Sequence, residues 1–322
     1  PVLVYFYGGG FIAGDGSEYR YDGESMARHG IVMVTINYRL GIFGFFSHPE
    51  LTRESPHCAS GNYGLLDQCA ALQWVKRNIA YFGGDPDKIT IGGESAGSFS
   101  VSAQMASPLS RNLIAGAIGE SGSLMGFRAM PHLSEAEKAG LSFQNAVGAK
   151  NLNELRNISA DQLLGMTKKR DLPSFGVIVD GYFFPAEPET IFLNGEQAQV
   201  PLLVGWNSME SNYKAILGEE EVTVENYEKA VRKRYPDIAD GLLKVYKANS
   251  DEEVAQVATD LASDMFIGYG TWNWSDIHAK TGNNEVYRYY FVHPRPGYKN
   301  AKTGDNLLIR GAVHSAEIEY VL

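Results

Sequence analysis

The sequence predicts an α/β fold, a mostly parallel sheet flanked by helices with a helical insert. Three observations carry that prediction. Short apolar runs without period-two alternation recur at Val2–Phe6, Ile31–Asn37 and Val200–Val204, as strands covered on both faces do. Helical patterns separate such runs, so the strands need long crossovers and pair in parallel. Finally, an apolar run containing Ile89 and Ile91 ends in Gly92-Gly-Glu-Ser-Ala-Gly97, and small residues at helical spacing follow. That stretch reads as a strand, a sharp turn and a helix with Ser95 at the apex.

Bulk properties narrow the classes. The chain has 322 residues, 44% of them hydrophobic, and a net charge of −10. This is enough apolar chain for a large core, and the acidic balance argues against a nucleic-acid partner or an anionic membrane surface. No apolar run reaches the length of a membrane span. The two cysteines, Cys58 and Cys69, read as free thiols, and neither has metal-ligand spacing. The chain opens at Pro1 on a strand pattern and stops at Leu322 without a closing element. It therefore reads as the interior of a longer protein, one domain over 1–322 that is incomplete at both ends.

Taken in order, Val2–Phe6 is a buried strand that opens into Tyr7-Gly-Gly-Gly-Phe11. Three glycines after a strand let backbone N–H groups approach a ligand, which makes Gly9 and Gly10 candidate oxyanion donors. Ile31–Asn37 is a second fully buried strand. Asn62-Tyr-Gly-Leu-Leu-Asp67 leads into a helix through about Ala80, and Gly83-Gly-Asp-Pro-Asp87 breaks the chain before the strand that carries Ser95. Gly93 and Gly97 flank the serine where a Cβ would collide with neighbouring backbone. Leu113–Ile118 is the next strand and ends in Gly119-Glu-Ser-Gly122. Its Ser121 lacks the helix-initiating frame and is given a supporting place only. Residues 134–170 read as short helices, with Ser134 as an N-cap answered by Glu137. Val200–Val204 is another buried strand. Residues 219–282 are rich in charge and carry helical periodicity, a layer inserted between strands as lid or pocket wall. Glu285–Val292 is the last strand.

A serine hydroxyl needs a base within hydrogen-bond reach, and the base needs an orienting carboxylate. On an α/β-hydrolase sheet these follow along the chain as Ser, acid, His. His29, His48 and His57 precede Ser95 and fail that order. His132 precedes the acid strand, and His278 sits in a helical pattern as a surface or packing residue. Both His293 and His314 satisfy the order. Glu210, five residues past a buried strand, fits the acid, with Asp180 as the alternative. The N–H of Ala96 points at the same reacting centre as the glycine loop.

These stretches, with Asn37-Tyr-Arg-Leu-Gly41, Gly61-Asn-Tyr-Gly-Leu-Leu-Asp-Gln68, Phe82-Gly-Gly-Asp-Pro86, Met209-Glu-Ser-Asn-Tyr213 and Gly311-Ala-Val-His-Ser-Ala-Glu317, resemble the type-B carboxylesterases. That family includes cholinesterases and bacterial para-nitrobenzyl-type esterases. The matches run in the family's order across nearly the whole chain. The resemblance implies an α/β-hydrolase fold, with Ser95 as nucleophile, Glu210 as acid, His314 rather than His293 as base, and Gly9, Gly10 and Ala96 as oxyanion donors. It also implies that Arg39 and Asp67 form a buried structural ion pair, and that Glu94 tunes the site without being the acid. Two departures stand out. Met209 replaces the usual Asp before the acid, and Glu120 replaces the usual Gln before Ser121.

The activity so implied is hydrolysis of a small-molecule carboxylic ester through an acyl-enzyme, with neither metal nor cofactor. A non-catalytic binding module of the same fold is the rival class, and an amidase or acyltransferase with the same triad is a second. Phe11, Phe45, Phe46, Trp206, Phe266, Tyr269 and Trp272 are candidates for an apolar pocket, or else for the core.

Overall fold

The computed structural model describes residues 1–126, 129–168, 171–296 and 311–322. Six strands, β1 (Val2–Phe6), β2 (Val32–Thr35), β3 (Ile89–Glu94), β4 (Gly116–Glu120), β5 (Leu202–Asn207) and β6 (Val286–Phe291), form one sheet in the order β2-β1-β3-β4-β5-β6. Every neighbouring pair is parallel. The fold is therefore the expected parallel sheet with helical crossovers.

Side-chain alternation explains how the sheet is covered. Along β1, Val2, Val4 and Phe6 point to one face and pack with Leu65 and Leu72 of the helix Tyr63–Asn78, and with Val101 of the helix Ala96–Ala106. Tyr5 and Tyr7 point to the other face and pack with Tyr21, Tyr38 and Ile318. Burying each such aliphatic side chain is worth about 1.5–3 kcal/mol. The central strand β1 is buried at all five positions.

The edge strands differ from expectation. Ile31–Asn37 was expected as a fully buried strand, but only Val32–Thr35 pairs, and its residues are half-buried or exposed. It has a single lateral neighbour, β1, so apolar character alone does not enclose it. At the opposite edge β6 leaves Tyr287 and Tyr290 exposed. The run Leu113–Ile118 starts its strand later, at Gly116, because Ser110 and Leu113 close a turn first.

Helices fill the remaining connections. Between β4 and β5 run Leu133–Ala146, Leu152–Arg156 and Ala160–Thr167. Lys169 and Arg170, included in the expected helical stretch, lie outside the described residues. Ser134 is not the cap of the first helix. His132 is, and its N–H donates to Glu135 Oε2 at 3.2 Å. Between β5 and β6 the chain is helical, including Val224–Arg234, Asp251–Ser263 and Tyr269–Thr281. Val224–Arg234 and Asp251–Ser263 share an apolar cluster of their own around Tyr227, Val231 and Leu261, whereas Trp274 and Ile277 of Tyr269–Thr281 join the main core. Cys58 is exposed, Cys69 is buried, and both are free thiols. Among the described residues no helix is long and apolar enough to cross a membrane.

Candidate active site

Ser95 stands between β3 and the helix Ala96–Ala106 with φ 55° and ψ −122°. A non-glycine residue there is strained, and such strain persists only where the surroundings impose it. The surroundings here are tight. A Cβ on Gly93 would lie 2.6 Å from Phe6 O, and one on Gly97 would overlap that same oxygen. The helix thus sits directly on the end of β1, and the Ser95 N–H is held by Glu120 O at 2.9 Å.

The glycine loop after β1 passes over this turn. A Cβ on Gly8 would meet Glu94 Oε2 at 2.8 Å and Ser95 Cβ at 3.2 Å. Gly9 and Gly10 both have positive φ, 107° and 64°. Among the described residues, the N–H groups of Gly9, Gly10 and Ala96 donate no hydrogen bond. Unpaired N–H groups beside a serine can receive developing negative charge.

The acid and base sides come from two loops zipped together. Met209 N donates to Ala312 O at 2.9 Å, and Asn207 Nδ2 donates to Val313 O at 2.9 Å. Within that frame Glu210 is buried. Its Oε1 accepts from Asn207 N at 2.6 Å, and its Oε2 lies 2.5 Å from His314 Nδ1. The other ring nitrogen, Nε2, lies 3.2 Å from Glu94 Oε1, without hydrogen-bond geometry. The Ser95 hydroxyl makes no hydrogen bond among the described residues. Gly8, Gly9, Glu94, Ser95 and His314 line one cavity of about 340 Å³.

Electrostatics follow from burial. Burial would lower the His314 pKa, but the Glu210 hydrogen bond and the nearby Glu94, Glu210 and Glu317 carboxylates outweigh it and raise it. Burial pushes Glu94 up to about 8, against the opposing pull of His314.

Other candidates fall elsewhere. Asp180 is buried but caps its own turn, accepting from Tyr182 N at 3.1 Å and Phe184 N at 2.9 Å. His293 packs against Phe291 and Tyr320, and His278 is buried with Nε2 2.9 Å from Val200 O. Arg39 and Asp67 do form a two-pronged pair, at 2.8 and 2.7 Å. It is not buried, however. The side chains are 52% and 28% exposed, because the guanidinium lies over the Tyr63 ring at the surface. Such a pair contributes about 0.2–1 kcal/mol.

One residue, Glu317, escapes sequence reasoning, and one of the aromatic candidates, Phe266, finds its place. Glu317, three residues past His314, accepts from Ser121 Oγ at 3.1 Å and from Asn207 Nδ2. It ties the Ser121 turn to the histidine loop, and its place in the matched tail was the available signal. Phe266 sits in a π-helical turn, Asp264–Gly268, and sets its ring 5.6 Å from that of His314. It is the one member of the aromatic set that also lines the larger cavity beyond, of about 940 Å³. Phe45 is core, Phe46 belongs to a separate cluster, and Phe11 packs on Phe45 and Tyr38. Among the described residues no group of three or more His, Cys, Asp or Glu side chains could hold a metal ion.

Comparison with known proteins agrees in direction. The family model described as "Carboxylesterase family" matches residues 1–322. Fumonisin B1 esterase of Sphingopyxis macrogoltabida is 38% identical, over 95% of this chain and 57% of that protein. Para-nitrobenzyl esterase of Bacillus subtilis (strain 168) is 40% identical, over 64% of this chain and 42% of that protein. Cholinesterase of Mus musculus is 32% identical, over 99% of this chain and 56% of that protein. The chain spans about half the length of the curated relatives it matches.

Proposed function

The chain belongs to the carboxylesterase family, and from that premise we propose that the protein hydrolyses carboxylic esters through an acyl-enzyme on Ser95. The observation that carries the reading is the 2.5 Å contact of His314 Nδ1 with the buried Glu210 carboxylate, in a histidine that lines one cavity with Ser95.

In this mechanism Ser95 Oγ attacks the ester carbonyl while His314 Nε2 takes its proton. The carbonyl oxygen becomes an oxyanion facing the Gly9, Gly10 and Ala96 N–H groups, each donor being worth about 2.7–4 kcal/mol in such sites. Glu210 holds the Nδ1–H tautomer and stabilises the imidazolium. His314 then returns the proton to the departing alcohol, and a water repeats the sequence on the acyl-enzyme. The Nε2 contact with Glu94 in the ligand-free geometry is compatible with this route, since catalytic hydrogen bonds commonly tighten only with substrate bound.

The test is turnover of the full-length protein on 4-nitrophenyl esters against the matching 4-nitroanilides, with and without an acceptor alcohol. Ester hydrolysis dominating both other reactions supports the reading. Preferred anilide cleavage or alcohol transfer would replace it with an amidase or an acyltransferase. No turnover of any substrate would favour a binding module.

A further inference from the structure

We propose that the preferred ester carries a carboxylate, received by Arg234 with Lys229 and Lys233 where the large cavity adjoins a basic groove. This rests on the esterase reading and deepens it to a substrate class.

Phe266 is the residue that relates the His314 side of the site to the large cavity. Phe266 touches the imidazole and lines the cavity of about 940 Å³. Apolar side chains such as Leu124, Met130 and Met265 make much of its wall. A cavity of that size, with polar and apolar walls, suits an organic arm far longer than an acetyl group. Ile216 and Arg234 are shared with an adjoining groove of about 460 Å³, which Lys229 and Lys233 also line.

The charges of the helix Val224–Arg234 are sorted by direction. Arg232 is neutralised by Asp240 at 2.7 Å. Arg234 gives one N–H to Ala215 O, which pins its guanidinium to the wall and leaves further N–H donors. Among the described residues, Arg234, Lys229 and Lys233 pair with no carboxylate. Glu220 is the one acidic residue lining the groove against these three cations. The helix C-terminus favours positive charge in its last turn, but Lys229 lies a turn earlier and gains little from it. Lys229 and Lys233, four residues apart, repel each other. By contrast, Arg20 on the small cavity is balanced by Glu18 at 2.9 Å.

In a chain of net charge −10, a groove lined by three cations and one carboxylate is a local exception that draws an anion to one place. A guanidinium with free N–H groups binds a carboxylate in two-pronged fashion, which fixes the substrate's orientation as well as its charge.

The test compares matched ester pairs on the full-length protein. One pair series puts the charge on the acyl arm, with 4-nitrophenyl hemisuccinate, hemiadipate and hemisuberate against the butanoate, hexanoate and octanoate. A second puts it on the alcohol arm, with 6-butanoyloxyhexanoate against hexyl butanoate. In at least one series, Arg234→Gln combined with Lys233→Gln lowers kcat/KM for the anionic member about tenfold and leaves its neutral match unchanged. Added salt lowers the same anionic preference in the wild type. Anionic-to-neutral ratios that stay the same in both series, in that variant and in Lys229→Gln, would overturn the proposal. Turnover of the neutral esters in the same assays shows separately whether the esterase reading stands.

Discussion

His314 Nδ1 and Glu210 Oε2 lie 2.5 Å apart although 104 residues separate them in the chain. The contact exists because the two loops are joined by backbone bonds at Met209–Ala312 and Asn207–Val313. Glu210 is thereby fixed before any substrate arrives. Its removal should cost orientation and charge together. Glu210→Gln is expected to lower kcat by about 10⁴, the scale seen when such an acid becomes an amide. The sign of the pH effect also follows. The carboxylate favours imidazolium and raises the His314 pKa, so the amide moves the acid limb of kcat/KM to lower pH. Rate profiles from pH 5 to 9 read both effects.

The two histidines that satisfy the sequence order separate in the same way. His293 meets Phe291 and Tyr320, away from the Ser95 cavity. His293→Ala should keep kcat near that of the wild type, whereas His314→Ala should lose most of it. Steady-state kinetics on one ester, with folded state checked by circular dichroism, decide between them.

Much of this site was legible because its logic is local or ordinal. Ser95, Gly93 and Gly97 sit within five residues, so the turn, its strain and its close packing could be read from one stretch. The order of nucleophile, acid and base narrowed the choice to Glu210 or Asp180 and to His314 or His293, and the family resemblance pointed to Glu210 and His314. Glu317 was not legible, since its role depends on meeting Ser121 across 196 residues. The Glu94–Nε2 contact likewise depends on where the histidine loop lands. The burial of β2 was misjudged because an apolar run reports its faces and not its lateral position in the sheet. Val224–Arg234 was read only as part of a charge-rich lid or pocket wall, and which of its cations line a groove depends on the structure.

Glu120 is buried with both carboxyl oxygens unpartnered, near Tyr5 and Tyr289, whose hydroxyls are also unpartnered. Burial raises its pKa well above the usual carboxyl range, aided by Glu317 and Glu94. The folded state therefore holds a proton that the unfolded chain releases near pH 4–5. Stability from this group is full below that value and is lost as pH rises toward the folded pKa. Glu120→Gln should remove the loss. The Tm advantage of the variant is expected to grow from pH 5 to pH 9, and a difference independent of pH would contradict this.

Packing at the turn can be tested without touching the chemistry. A Cβ at Gly97 would overlap Phe6 O, while one at Gly241 meets nothing within 4 Å. Gly97→Ala should therefore destabilise by about 3 kcal/mol or more, at the severe end of overpacking. Gly241→Ala, in the helix Ala239–Val245, should stabilise by about 0.5–1 kcal/mol. Urea unfolding of both variants gives the two signs.

The nucleophile itself is open to a direct measurement. A fluorophosphonate probe reacts covalently with an activated serine, and peptide mass mapping locates the adduct. One adduct per chain on Ser95, absent from Ser95→Ala and slowed in His314→Ala, is the expected result. An adduct on Ser121 instead, or undiminished ester hydrolysis by Ser95→Ala, would contradict the assignment of Ser95 as the nucleophile.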